Sequence, residues 1–283
     1  MAPKRRVKIK KIKMADFSQR FGQWALVAGA AEGLGASFCE ELALKGMNVI
    51  MFDINEKGME SLGARLEKQY HVQTRKIIQD LAEEDAPVKC MAVIKETGCR
   101  LLIYNAAYSR VKPFLSNEFH ELDLYIDVNT RTPLKLAYLF AQHLKHNNQK
   151  GGILLMSSLS GIWGTRLVTA YSGTKGFNLL FAEALSNELR PHGIDVSVCC
   201  AGATATPGYL GTNPAKGFLS PPLMKPDHVA SIALKHLGKK TVIIPGFSNR
   251  FSYFLLTRLL PRSLSVRLVN QAMKKTYAGL SVK

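Results

Sequence analysis

Trp24-Ala25-Leu26-Val27-Ala28-Gly29-Ala30-Ala31-Glu32-Gly33-Leu34-Gly35 is the stretch whose reading decides the fold class. Trp24–Ala28 is an apolar run of strand length, and glycines at 29, 33 and 35 let the chain turn tightly. A helix-period pattern starts near Ala36. A strand, a glycine turn and a helix in that order start an alternating α/β chain.

The alternation continues to Pro245. Further apolar runs lie at Asn48–Phe52, Gln73–Ile78, Leu101–Tyr104, Gly152–Met156, Asp195–Cys200 and Thr241–Ile244, with helical patterns near 34–46, 56–69, 83–97, 119–147, 170–190 and 227–237. This predicts an α/β fold: a doubly wound, parallel seven-stranded sheet with helices on both faces. Its ligand crevice should lie at the carboxyl ends of the strands. Residues 202–226, rich in Gly and Pro, predict a long loop after the sixth strand, of the kind that forms lids or binding elements.

The net charge of +17 belongs to the two ends of the chain. Residues 1–13 carry seven basic side chains and residues 228–283 carry ten, with no acid in either, so the stretch between is neutral. Basic ends attract any polyanion, and nucleic acid is not the partner expected. No apolar core follows residues 1–13, so they are not a secretory signal; Met14 is a second candidate start. The expected divisions are a disordered basic extension at 1–13, one catalytic domain at 14–246 and a helical tail at 247–283. Five scattered cysteines without zinc-ligand spacing predict buried, reduced thiols and a cytoplasmic setting, and no metal is expected. No run approaches the ~18 apolar residues of a membrane span.

Glycines 29, 33 and 35 ahead of a helix N-terminus let a dinucleotide pyrophosphate approach main-chain amides, here on a Gly-x-x-x-Gly-x-Gly spacing. Asp53, 24 residues after Gly29, can accept from the adenosine ribose hydroxyls and repel a 2′-phosphate, which points to NAD rather than NADP. Capping a helix would be its structural alternative.

Tyr171-Ser172-Gly173-Thr174-Lys175, with Ser158 thirteen residues before the tyrosine, completes an ordered set with the glycine turn. Over roughly residues 20–245 the chain resembles the short-chain dehydrogenase/reductase (SDR) family, whose catalytic domain is a Rossmann-type sheet. Four residues apart on one helix, Tyr171 and Lys175 share a face. A free tyrosine titrates near ~10, and a neighbouring ammonium is expected to lower that, making Tyr171 a general acid/base. Ser158 would stabilise charge on the substrate oxygen. The resemblance implies that Lys175 also binds the nicotinamide ribose and that Asn129 completes a catalytic tetrad through a helix distortion and water. It further implies cofactor contacts at Gly29, Gly33, Leu34, Gly35, Asp53, Asp80, Leu81, Asn105, Ala106, Tyr171, Lys175 and Thr206. Against the family pattern, Ala28 replaces a threonine, Ala107 a glycine and Ala201-Gly202 a Pro-Gly, which bears on cofactor affinity.

The tail resembles that of a subgroup holding 17β-hydroxysteroid and long-chain 3-ketoacyl-type oxidoreductases. Phe251, Phe254, Leu255, Leu259, Leu264, Leu268 and Met273 make an apolar stripe over two helices broken at Pro261, decorated by Arg250, Arg258, Arg262, Arg267, Lys274 and Lys275. A lid over the cleft, an oligomer contact or a peripheral contact with an anionic membrane all fit it. The sequence thus predicts an NAD-linked dehydrogenase or ketoreductase of a small hydrophobic alcohol or ketone, working as a homodimer or homotetramer. The rival is a membrane-peripheral or regulatory module that binds cofactor without turnover.

Overall fold

In the computed structural model, which describes residues 17–215 and 223–278, seven strands form one sheet. They are β1 (Trp24–Ala28), β2 (Asn48–Asp53), β3 (Thr74–Ile78), β4 (Leu101–Tyr104), β5 (Gly151–Ser158), β6 (Ile194–Ala201) and β7 (Val242–Ile243). Their order is β3-β2-β1-β4-β5-β6-β7, and every pairing is parallel. The order reverses between β1 and β4, which opens a crevice at the carboxyl edge. Ala28 is in register with both Phe52 and Tyr104, so Gly29, Asp53 and Asn105 leave the sheet at one level.

Besides a helical stretch at 17–21, ten helices are described along their full length. In chain order they are α1 (Gly33–Leu44), α2 (Glu56–Tyr70), α3 (Ala86–Thr97), α4 (Phe119–Ile126), α5 (Thr132–His146), α6 (Thr169–Leu189), α7 (Pro207–Leu210), α8 (Pro226–His236), α9 (Phe247–Phe254) and α10 (Arg262–Thr276). Successive β1 residues enter opposite cores. Ala25 and Val27 join α1, α2 and α8, while Leu26 and Ala28 join α3, α5 and α6. This double burial is why the inner strands read as unbroken apolar runs, while the edge strand β3 exposes Arg75 and Lys76.

The structure refines the expected elements at several points. The first helix begins at Gly33, not near Ala36, so two glycines lie in its first turn. The expected 119–147 helix is interrupted, α4 passing into α5 through a widened turn at Asp127–Arg131. β5 runs two residues further than expected and ends on Ser158. The loop after β6 carries the short α7, and Thr204 bridges to Met224; residues 216–222 of that loop and the extension at 1–13 lie outside the described residues. All five cysteines are unpaired and buried, and no described helix is long and apolar enough to cross a membrane.

The tail breaks at Pro261, as its sequence predicts, and lies across the carboxyl edge. Asn270 Oδ1 accepts from Arg166 N at 2.7 Å and Asn270 Nδ2 donates to Gly164 O at 2.9 Å, joining α10 to the loop after β5. Thr212 Oγ1 and Tyr277 Oη are 2.8 Å apart, and Ala215 N donates to Thr276 O at 2.9 Å, joining it to the loop after β6.

Phe140 of α5 is fully buried in the core that backs β4 and β5. Phe140→Ala should cost roughly 3–5 kcal/mol in a denaturant titration. An unchanged midpoint would mean that α5 does not pack there.

Candidate active site

At the turn after β1 the backbone is pinned from both neighbouring strands. Gly29 N donates to Phe52 O at 2.8 Å, and Asn105 Nδ2 donates to Gly29 O at 2.8 Å. Gly29 has φ +73°, and a Cβ there would come within 2.6 Å of the Ala106 Cα. At Gly35 a Cβ would sit 1.7 Å from Gly29 O. The turn is therefore braced without the hydroxyl that the family pattern has at position 28. α1 has no side-chain cap and no acid in its first turn, leaving its first amides to an outside acceptor. An uncapped, glycine-walled helix start of this kind fits a dinucleotide pyrophosphate.

Asp53 takes part in building this cradle. Its Oδ2 accepts from Ala31 N at 2.9 Å and its Oδ1 from Asn55 N at 3.0 Å. The cap of α2 is not Asp53 but Asn55, whose Oδ1 accepts from Gly58 N at 3.0 Å. Glu32, exposed in the turn itself, is a second acid on this side. At the end of β3, Asp80 is exposed and accepts from Ala82 N at 2.8 Å, while the buried Leu81 gives its carbonyl to Thr132 Oγ1 at 2.8 Å. Ala106 N donates to Ala28 O at 2.8 Å. Thr206 caps α7 by accepting from Tyr209 N at 3.2 Å, and its methyl faces the Gly33 backbone across the crevice. Leu34 packs against the α1 side of the core.

The other half of the crevice is formed by β5, α6 and the widened turn. Ser158 ends β5, and its Oγ accepts from Ser160 N at 3.2 Å and Ser160 Oγ at 3.0 Å. Tyr171, two residues into α6, hydrogen-bonds Ser158. One turn on, buried Lys175 donates from Nζ to Met156 O at 3.0 Å, 5.5 Å from the centre of the Tyr171 ring. Asn129 is fully buried in the widened turn. Its Oδ1 accepts from Tyr108 N at 2.7 Å, and its Nδ2 donates to Tyr108 O at 2.9 Å and Thr174 Oγ1 at 3.1 Å. Asn129 meets Lys175 only through intermediaries, since Asn178 Nδ2 donates both to Asn129 O at 3.0 Å and to Met156 O at 3.5 Å.

One electrostatic expectation is overturned. Burial pushes the Tyr171 hydroxyl up to about 12, with only the Ser158 hydrogen bond pulling the other way. Burial brings Lys175 down to about 8. The ammonium lies over the ring and donates to Met156, and desolvation outweighs its pull on the hydroxyl. At neutral pH Tyr171 in this state is a neutral phenol.

Four supporting residues escaped the motif reading: Tyr108, Ser160, Thr174 and Asn178. Asn178 falls one turn after Lys175 on the same helix, but nothing in a sequence separates a buried asparagine from an exposed one. Leu167 is another, held at φ +65° while buried, with its carbonyl accepting from Lys112 N at 2.8 Å. Such a backbone costs about 1–2 kcal/mol and joins the loops after β4 and β5 just ahead of Tyr171.

A family model described as short chain dehydrogenase matches residues 23–215. A 7beta-hydroxysteroid dehydrogenase of Mediterraneibacter gnavus is 29% identical over 238 residues, which are 83% of this chain and 90% of that one. The very-long-chain 3-oxoacyl-CoA reductase of Homo sapiens is 28% identical over 268 residues, covering 91% of this chain and 81% of the relative. A solved 7beta-hydroxysteroid dehydrogenase superposes with a TM-score of 0.80 at 27% identity, over 89% of this chain and 98% of its own.

Gly35→Ala places a methyl on the Gly29 carbonyl. It should weaken NADH binding, followed by nicotinamide fluorescence, by about tenfold or more, a loss of ~1.4 kcal/mol. An unaltered titration would show that the turn does not hold the dinucleotide.

Proposed function

The chain belongs to the short-chain dehydrogenase family, and from that membership we propose an NAD-linked dehydrogenase or ketoreductase of a hydrophobic alcohol or ketone, with Tyr171 as its proton-transferring group. The reaction class, hydride transfer between a nicotinamide cofactor and a hydroxyl or keto group, comes with the family. The observation that carries the assignment of roles is the Tyr171 hydroxyl against Ser158, with Lys175 behind it, at the far end of the crevice from the glycine turn.

When bound, the nicotinamide dinucleotide supplies or takes up the hydride. Reduction leaves negative charge on the substrate oxygen, and the neutral Tyr171 phenol is the form that donates a proton to it. Ser158 Oγ accepts from Ser160, so its one proton faces Tyr171 and would turn to the substrate oxygen when that oxygen enters between them. Lys175 keeps a positive charge behind the ring and favours the phenolate once Tyr171 has given up its proton. Asn129 is a positioning residue, holding the widened turn and Tyr108 against the base of α6.

Asp53 and Glu32 support NAD over NADP. Asp53 bonds the main chain of Ala31, next to the exposed Glu32, so a 2′-phosphate brought to the end of β2 would meet two acids in one turn. Asp80, Leu81, Asn105, Ala106 and Thr206 are assigned to the cofactor, lying at the carboxyl ends of β3, β4 and β6. Exposed Leu134, Tyr138 and Leu180 on the long helices α5 and α6 favour a homo-oligomer paired through that face. A module without turnover is not favoured, because Phe52 and Asn105 brace the turn despite the departure at 28.

Tyr171→Phe should lower kcat/KM by about 10²–10⁴-fold while NADH still binds. Retention of full turnover by this variant would sink the assignment. The pH profiles should have opposite signs. Ketone reduction, which needs protonated Tyr171, should fall as pH rises through its titration; alcohol oxidation, which needs the deprotonated form, should climb over the same range. Parallel profiles would contradict Tyr171 as the proton donor and acceptor.

A further inference from the structure

We infer that the outward face of the C-terminal helix pair is a docking surface for an anionic lipid membrane, seating the mouth of the crevice against the bilayer from which substrate is taken. The second half of this rests on the proposed function; the docking itself does not.

The tail turns a large part of its apolar surface away from the body, although Tyr253 packs against Trp163 and Leu255 and Met273 are half-buried. The tail is held to the body through polar contacts: Asn270, Thr276 and Tyr277 of its C-terminal part bond the loops after β5 and β6, while Ser265 donates to Leu256 O at 2.6 Å and ties the two tail helices together. The buried residue of α9 is Asn249, which donates to Pro245 O at 2.9 Å. Outward stand the large apolar side chains, Phe247 76% exposed, Phe251 53% and Phe254 52%, with Leu259, Leu264 and Leu268. Phe247 and Phe251 stack on each other at 6.3 Å, so part of the patch is one continuous aromatic surface.

Cations surround this patch. Arg250, Arg258, Arg262, Arg267, Lys274 and Lys275 are all exposed, and residues 228–283 contain no Asp or Glu. Among the described residues none of the six is in an ion pair; Arg250 and Arg262 reach only the main-chain carbonyls of Ile244 and Ile162. A lipid headgroup layer satisfies both features together, because phenylalanines enter the acyl boundary while arginines stay with the phosphates. A second copy joined face to face would set these cations against their own equivalents. Nucleic acid would pair the cations and leave three phenylalanines and three leucines in water.

The position ties the surface to the site. α10 is bonded to the loops that follow β5 and β6, and those loops rise from the same sheet edge as Ser158 and Thr206. Leu210 and Leu223 on the second loop are exposed apolar residues as well. A bilayer against the tail therefore lies at the entrance of the crevice.

The test is co-sedimentation of the full chain with phosphatidylcholine vesicles, with and without phosphatidylglycerol, beside Phe251→Glu and Leu268→Glu. The expected result is binding that requires phosphatidylglycerol, weakens with salt, and drops by about tenfold or more in each variant, with melting temperature and NADH binding unchanged. Binding that disappears on removing residues 1–13 while surviving both substitutions would overturn the proposal. So would failure to sediment, a stronger preference for RNA, or light scattering showing a dimer that Phe251→Glu splits into monomers. Vesicle binding without any NADH binding would leave the docking surface standing and remove the proposed function instead.

Discussion

Lys175 carries an ammonium into the protein, where its hydrogen bond goes to the carbonyl of Met156, and much of the site is arranged around that expense. A buried cation with a single main-chain acceptor is costly, and burial accordingly brings its titration down to about 8. Asn178 shares the same carbonyl and reaches across to Asn129, whose side chain in turn clamps Tyr108. The widened turn at Asp127–Arg131 gives Asn129 its position, since a regular helix there would direct that backbone differently. One buried charge thus links β5, α6, the α4–α5 junction and the loop after β4.

The sheet makes this linkage possible. Parallel strands send all their carboxyl ends to one edge, and the reversal between β1 and β4 parts the loops there. On one side of the opening stand Gly29, Asp53 and Asn105, on the other Ser158 and α6. Sheet and helix fix these groups before any ligand arrives, which is the condition for electrostatic stabilisation without reorganisation. The strained Leu167 lies in the same region, its backbone held by Lys112 two residues before α6 begins.

Much of this was legible in the sequence because it depends on spacing. The inner strands read as unbroken apolar runs because they are buried on both faces, whereas the edge strand β3, with Arg75 and Lys76 exposed, is carried by its place in the alternation. The glycines announce the turn because a Cβ at Gly35 would strike the Gly29 carbonyl. Tyr171 and Lys175 four residues apart must share a helix face. What depends on three-dimensional surroundings was not legible. The spacing predicted a lowered Tyr171 titration, whereas the ammonium turns to Met156 and desolvation prevails. The widened turn has no residue signature of its own, and Asn178 looks like any helix asparagine. The tail's apolar stripe was visible, but only the structure shows that Phe251, Phe254, Leu259, Leu264 and Leu268 of it stand outward while Asn270 bonds the body.

The proposed pairing of NAD with Tyr171 is tested most directly by a fluorescence titration of the purified chain with NADH and, separately, NADPH. Tight NADH binding with weaker NADPH binding is the predicted result, as the glycine cradle accepts the pyrophosphate and Asp53 with Glu32 repels a 2′-phosphate. Binding of neither nucleotide would contradict the account at its base. NADPH binding more tightly than NADH would keep the crevice and overturn the role of the two acids.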